Sequence, residues 1–175
     1  MSDVRGARLE DADAIAAVHT RAWQVGYRGL MPDDFLASLD PLERAERWRE
    51  IIGDGHAGAP DGLVVDVEGV VRGFCWMGPS RDEDAGEDWE LYAVYVHPDH
   101  WRAGLGTALA MEALHRRVPG TDWTVWSLAR SEQSSAFYSR LGFRRDGASI
   151  RRDFGGASLE VVRHRRRGIP PSSRW

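Results

Sequence analysis

No lysine and no asparagine occur anywhere in the 175 residues, and all 23 basic side chains are arginine. Without lysine the chain has no Schiff-base nucleophile and no Walker lysine, so imine chemistry and a P-loop are both excluded. Two residue types missing together match the codon usage of a GC-rich, bacterial genome better than any folding rule. A single cysteine, Cys75, rules out an internal disulfide and a cysteine-rich zinc site. No apolar run approaches the roughly 18 residues that cross a bilayer, and the opening MSDVRGARLEDADA carries acids where a signal peptide needs an apolar stretch. A soluble, cytoplasmic chain without a membrane partner is expected.

What is present argues for one hydrophobic core. Apolar residues make up 42% of the chain and eight are tryptophan, far from a disordered composition. The net charge of -4 hides an arginine-rich C-terminal quarter, with Arg144, Arg145, Arg151, Arg152, Arg163, Arg165, Arg166 and Arg167. That run lacks interleaved aromatics in a net acidic chain, so no nucleic-acid partner is expected. Residues 1–167 read as a single domain and 168–175, the GIPPSSRW segment, as a tail.

Val4 to Leu9 suits a first strand, and Asp11 then caps a helix carrying Ile15, Val18 and Ala22 at helical spacing. Pro32 and Pro41 open two further helices before a Gly/Pro-rich loop from Gly53 to Gly62. Leu63 to Val67 and Val70 to Met77 flank Glu68-Gly69, a hairpin signal. Past the acidic SRDEDAGED loop, Trp89 to Val96 alternates as a strand, which sets Glu90, Tyr92, Val94 and Val96 on one face and Leu91, Ala93 and Tyr95 on the other. A helix from Gly104, a strand from Trp123 to Leu128 and a helix from Ser131 to Leu141 follow, with closing strands at Phe143 to Arg145 and Ser158 to Arg165. Strand, crossover helix and strand of this length make a right-handed βαβ unit, so the fourth and fifth strands run parallel within a mainly antiparallel sheet.

Two stretches carry chemistry. Trp101-Arg102-Ala103-Gly104-Leu105-Gly106-Thr107 joins a strand to a helix N-terminus, where free N–H groups and the helix dipole suit an anion. The third glycine of a dinucleotide turn is missing, and antiparallel strands precede it, so a dinucleotide fold is disfavoured. The second stretch is SEQSSAFYSRLGF, Ser131 to Phe143. In this order, one strand apart, the two resemble the signature of the Gcn5-related N-acetyltransferase (GNAT) family, a Q/R-x-x-G-x-G/A turn followed by an N-x-x-A/S-x-x-FY-x-x-x-GF helix. Gly104, Gly106, Ser134, Phe137, Tyr138, Gly142 and Phe143 match. The element order, the ELYAVYVHP strand and the segment from Ala22 to Leu30 extend the likeness over about Val4 to Arg165. Trp101 and Ser131 depart from it, standing where the family has Gln or Arg and Asn.

The resemblance implies a mixed α/β GNAT fold, with a central, mainly antiparallel seven-stranded sheet whose parallel fourth and fifth strands splay apart between flanking helices. It implies an acetyl-CoA-dependent N-acetyltransferase that acylates a primary amine of a small molecule or peptide by direct attack. The donor pyrophosphate is expected on Arg102, Ala103, Gly104, Leu105, Gly106 and Thr107, its pantetheine arm along Val94, Tyr95 and Val96, and Ser131 and Tyr138 beside it. Tyr138 is the expected general acid for the departing thiolate. Glu90 is the expected base, with Glu87, Asp88 or a chain of waters as alternatives. Trp23, Tyr27 and Tyr92 are candidates for the acceptor wall, although Trp23 and Tyr27 serve equally well as packing. His97 and His100 stand three apart without a further ligand cluster, so no metal is expected. A homodimer is compatible with the sequence. The rival readings are a catalytically inactive acyl-CoA sensor or interaction module, and a nucleotide-binding domain.

Overall fold

The computed structural model describes residues 2–53 and 61–169. Most of the Gly53 to Gly62 loop and of the tail from residue 168 lie outside the described residues. In chain order the elements are β1 (Ser2–Gly6), α1 (Ala12–Gly26), α2 (Asp33–Ala37), α3 (Pro41–Gly53), β2 (Asp61–Val67), β3 (Val70–Pro79), β4 (Trp89–Val96), α4 (Leu105–His115), β5 (Trp123–Leu128), α5 (Glu132–Arg140), β6 (Arg144–Phe154) and β7 (Ala157–Arg166). One seven-stranded sheet runs in the order β1-β2-β3-β4-β5-β7-β6. Every neighbouring pair is antiparallel except β4 with β5, as the sequence leads one to expect.

The β2–β3 hairpin closes through Glu68 and Gly69, whose φ angles of 54° and 80° are both positive. A two-residue turn with two positive φ values matches the right-handed twist of the strands it joins. Leu63, Val65, Cys75, Met77 and Leu91 build one core layer against Leu105, Leu109 and Ala113 of α4. On the opposite face Val64, Phe74 and Trp76 pack on Ile15, Ala16 and Val18 of α1 and on Ala45 and Trp48 of α3. A third cluster, with Met31, Leu36, Leu128 and Val161, closes the end of the sheet near α2.

Three local expectations need correction. The first strand ends at Gly6, and Leu9–Asp11 is instead a turn of 3-10 helix. Asp11 stands at the N-cap of α1 but makes no side-chain cap there. Its carboxylate accepts two hydrogen bonds from Arg5, at 2.7 and 2.8 Å, and one from the Arg8 N–H at 2.8 Å. An ion pair outcompetes the cap, and the Arg5 bond holds the Asp11 carboxyl below its ordinary range. Finally, β6 runs to Phe154, far beyond Arg145, because its polar stretch pairs along β7 from Ser149 to Phe154.

Candidate active site

The cleft opens where β4 and β5 part. They pair only at Trp89 with Trp123, Glu90 with Thr124 and Leu91 with Val125. Beyond these residues the strands splay, leaving main-chain groups on the facing edges of Tyr92 to Val96 and Trp126 to Leu128 without a strand partner between them. An extended, amide-bearing molecule laid in this gap finds those donors and acceptors ready. The cleft holds about 580 Å³ and reaches from the start of α4 to Tyr27 on the far side of the sheet.

At one end lies the turn into α4. Arg102 and Gly104 both adopt left-handed backbone, with φ of 64° and 81°. These two reversals swing the first N–H groups of α4 toward the cleft and put Ala103 on the outside of the turn, exposed. Gly106 faces Phe137 so closely that a Cβ there would lie 3.4 Å from the ring. Trp101 donates its indole N–H to the carbonyl of Val96 at 2.7 Å and packs near Gly26 of α1. Arg102, Arg140 and the helix N-terminus make this end of the cleft positive, which suits phosphate groups.

Tyr138 sits at the centre. It is buried on α5, edge-on to Phe137 and Phe143, and lines the cleft. Burial pushes its phenol up, helped by the nearby Tyr95 and Cys75, so its proton stays in place throughout the working pH range. Tyr27 and Tyr95 share a hydrogen bond, O to O 3.1 Å, and burial raises both. Ser131 lines the cleft and caps α5: its Oγ accepts from the Ser134 N–H at 3.3 Å and donates to the Ser134 Oγ at 2.8 Å. Cys75 is fully buried and pushed up to about 12, an inert core thiol.

A bulge changes the face assignment of β4. Ala93 pairs with Trp76 but Leu91 pairs with Met77, so Tyr92 is an extra residue. As a result Leu91, Val94 and Val96 pack on the α4 side, while Tyr92, Ala93 and Tyr95 pack on the α1 side. Strict alternation puts Glu90 and Val94 on one face; the inserted residue sets them on opposite faces. Glu90 is 1% exposed and lies under Arg81. Arg81 donates to it from the guanidinium at 2.5 and 3.2 Å and from the backbone N–H at 3.2 Å. The same guanidinium covers the Tyr92 ring, 4.2 Å from its centroid.

Of the residues put forward from sequence, Val94, Tyr95, Val96, Arg102, Gly104, Leu105, Gly106, Thr107, Ser131, Tyr138, Tyr27 and Tyr92 line the cleft. Ala103, Trp23 and Glu90 do not. Trp23 packs behind the wall, against Tyr27, Phe35 and Phe154, with the Arg44 guanidinium 5.0 Å from its ring. Sequence reasoning missed Trp126, Ser127, Phe137 and Arg140 as lining residues. Phe137 was legible as part of the FY pair, whereas Trp126 and Ser127 gain their place only from the splay of the two strands. Among the described residues no carboxylate lines the cleft, and no group of three or more His, Cys, Asp or Glu is placed to hold a metal. No described helix is long and apolar enough to cross a membrane.

The loop before β4 is held by charge. Arg163 of β7, 5% exposed, donates to Asp82 at 3.1 Å, to Asp84 at 2.5 Å and to Asp146 at 2.7 Å. Asp82 also accepts the indole N–H of Trp126, at 3.1 and 3.2 Å. Arg165 pairs with Asp88 and Asp146. The acidic segment that reads as a solvated loop is therefore fastened to β7 and braces the cleft wall through Trp126.

Comparison with known proteins gives one consistent result. The family model of the acetyltransferase (GNAT) domain matches residues 60–145. The chain is 39% identical over 109 residues to the uncharacterized N-acetyltransferase YuaI of Bacillus subtilis, covering 62% of this chain and 60% of that one. It is 32% identical over 142 residues to the L-amino acid N-acyltransferase MnaT of Escherichia coli, covering 80% of this chain and 78% of MnaT. Among solved structures, the PaiA N-acetyltransferase of Thermoplasma acidophilum in complex with coenzyme A superposes with a TM-score of 0.73 at 15% identity, over 95% of this chain and 99% of that one.

Proposed function

The chain belongs to the GNAT acetyltransferases, and from that premise we propose that it transfers an acetyl group from acetyl-CoA to a weakly basic primary amine of a small molecule or peptide. One observation carries this reading: the splayed β4–β5 edges, the positive turn into α4 and the buried Tyr138 phenol all open into a single cleft. The residues present fit the donor. The α4 turn and Arg102 hold the pyrophosphate, the free edges from Val94 to Val96 pair with the amides of the pantetheine arm, and acetyl-CoA supplies an activated acyl thioester.

Within this reading the N–H of Val94 polarises the acyl carbonyl. Tyr138 hydrogen-bonds the departing sulfur and gives it a proton. Burial raises the phenol, but the same burial raises the basicity of a thiolate beside it, so donor and acceptor stay matched. The acceptor approaches from the α1 side, past Tyr27, Tyr92 and Trp126.

The acceptor class follows from Glu90. With its carboxylate under Arg81 and no carboxylate on the cleft wall, an amine enters as the free base. At pH 7.5 an α-amino group with a pKa of about 7.7–8.0 is roughly one-third deprotonated, while an alkylamine near 10.4 is free only about once in a thousand molecules. An α-amino group, as in an amino acid or at a peptide N-terminus, is thus favoured by roughly 300-fold in available nucleophile. The E. coli relative, an L-amino acid N-acyltransferase, agrees in chemistry.

The test is a thiol-release assay with acetyl-CoA at fixed pH over matched amines, amino acids and dipeptides against simple alkylamines. Faster release with α-amino acceptors is expected. Equal rates, or a preference for alkylamines, overturn the acceptor class. Coenzyme A binding with no release over the whole panel returns the chain to the acyl-CoA sensor reading.

A further inference from the structure

Ser127 and His164 are a polar pair set into an otherwise apolar stretch of β5 and β7. Ser127, 8% exposed, lies on the cleft wall, and its Oγ is 3.0 Å from Nε2 of His164. His164 is 1% exposed, and its ring centroid is 5.9 Å from that of Tyr138. Its Nδ1 is buried with no hydrogen-bond partner among the described residues. Nothing in the roles given above to Val94, Tyr138 or the α4 turn uses this pair.

The orphaned Nδ1 decides the direction of the hydrogen bond. If Nδ1 carried the proton, a buried N–H would be left unsatisfied at a cost of about 1–3 kcal/mol. A bare ring nitrogen leaves only a lone pair unmatched, the lesser penalty, because orphaned N–H groups are the rarer kind in folded proteins. The neutral ring therefore carries its proton on Nε2 and donates to Ser127. Burial and the nearby Arg145 disfavour a second proton, with Asp146 opposing them weakly. Since the Ser127 oxygen accepts from His164, its own proton is free to point into the cleft.

Resting on the acetyl-transfer reading, we propose that Ser127 is a second hydrogen-bond donor to the thioester sulfur, working beside Tyr138, and that His164 is the positioning residue that turns its proton toward the cleft. As the C–S bond breaks, its electron pair moves to sulfur. Tyr138 supplies the proton that neutralises it, and the proton lost by the amine restores the phenol. Ser127 keeps its proton throughout and lowers the charge that sulfur must carry alone.

The experiment reads the thiolate absorbance of coenzyme A bound to the protein as pH is raised, together with kcat and KM. The ionisable groups around that thiol are Tyr138 of α5, Tyr95 of β4, Cys75 of β3 and His164 of β7, and their numbers are unchanged in the Ser127 variants. Ser127→Val is expected to raise the bound thiol's titration midpoint by about one unit, the size of one hydrogen bond to a charged group, and to lower kcat roughly ten-fold with KM for acetyl-CoA unchanged. Ser127→Thr, which keeps the hydroxyl, is expected to titrate like wild type. His164→Leu should behave like Ser127→Val, and His164→Gln, whose amide N–H takes the place of Nε2–H, should restore the wild-type midpoint. If Ser127→Val does not fold, the two His164 variants decide the matter. An unchanged midpoint in Ser127→Val or His164→Leu overturns the proposal while leaving acetyl transfer intact. A wild-type protein that does not bind coenzyme A overturns both.

Discussion

The indole N–H of Trp101 ends on the carbonyl of Val96, 2.7 Å away, and so joins the anion-binding turn to the last residue of β4. The tryptophan that replaces the family's usual glutamine or arginine therefore sets the spacing between two parts of the cleft. Trp101→Phe keeps the ring against α1 and removes the donor. Losing one such bond costs about 0.5–1.5 kcal/mol, so acetyl-CoA affinity should fall roughly three- to ten-fold by calorimetry. Unchanged affinity would show that the turn holds its place without Trp101.

Gly104 has φ of +81° and open space where a Cβ would stand. Any side chain there is strained, and asparagine bears that strain better than most. Gly104→Asn should bind acetyl-CoA more weakly than wild type, and Gly104→Asp should lose measurable binding, because its charge faces the pyrophosphate. Thermal shift by acetyl-CoA, present for wild type and absent for the aspartate variant, is the readout. Equal shifts would move the phosphate site elsewhere.

Tyr138→Phe retains the packing against Phe137 and Phe143 and deletes the phenolic proton. Turnover should drop roughly 10- to 1000-fold, in line with general-acid magnitudes, with acetyl-CoA affinity little altered. Wild-type kcat in this variant reassigns Tyr138 to the core.

Glu90 and Arg81 give opposite results under two mechanisms. If the carboxylate serves only to anchor Arg81, Glu90→Gln lowers kcat by less than about three-fold and leaves the pH–rate profile in place. If Arg81 swings away and Glu90 takes the amine proton, the variant loses the profile's acidic limb and recovers rate at high pH. The structure favours the first outcome, since three hydrogen bonds hold the pair together.

His19, between α1 and α3, is stacked on Tyr95 and contacts Arg44 at 3.1 Å. Burial and the Arg44 charge bring its pKa down to about 3. Above pH 6.5 folded and unfolded chains agree in protonation. As pH falls from about 6.5 toward 3 the unfolded chain binds a proton that the folded chain refuses, so stability drops, by at most about 1.4 kcal/mol per pH unit. Urea melts of His19→Gln between pH 6.5 and 5 should show a shallower decline than wild type. His164, lowered in the same direction, keeps the slope from vanishing. Identical slopes would mean that His19 is protonated in the folded chain.

Much of this molecule can be read locally. The turn at Gly104 and the FY helix announce themselves because positive φ and helical spacing leave marks within a few residues of sequence. Trp89 to Val96 was legible as a strand for the same reason. The faces of that strand were not: the insertion of Tyr92 is set by the register of β3, and no pattern within β4 reports it. Asp11 has the chemistry of a cap, and only the placement of Arg5 diverts it. Glu90 under Arg81, Ser127 against His164 and Arg163 among three aspartates are pairings across 9 to 81 positions of chain. Such partners are chosen by topology, which composition and periodicity do not encode. The extent of β6 escaped because its arginines, aspartate and glycine lack alternation and its order comes from β7.

The uneven pairing of β5 has a consequence for how the protein is made. That strand shares three residue pairs with β4, synthesised before it, and six with β7, which leaves the ribosome last. Until Ala157–Arg166 emerges, β5 has most of its edge bare, and Asp82 and Asp84 lack the arginine that gathers them. A nascent chain can shape the α4 turn early, from residues close in sequence, yet the wall that meets the acceptor must wait for the final strand. Stop codons or proteolytic cuts that remove only this C-terminal hairpin strand should therefore leave a protein that has lost its acceptor side first.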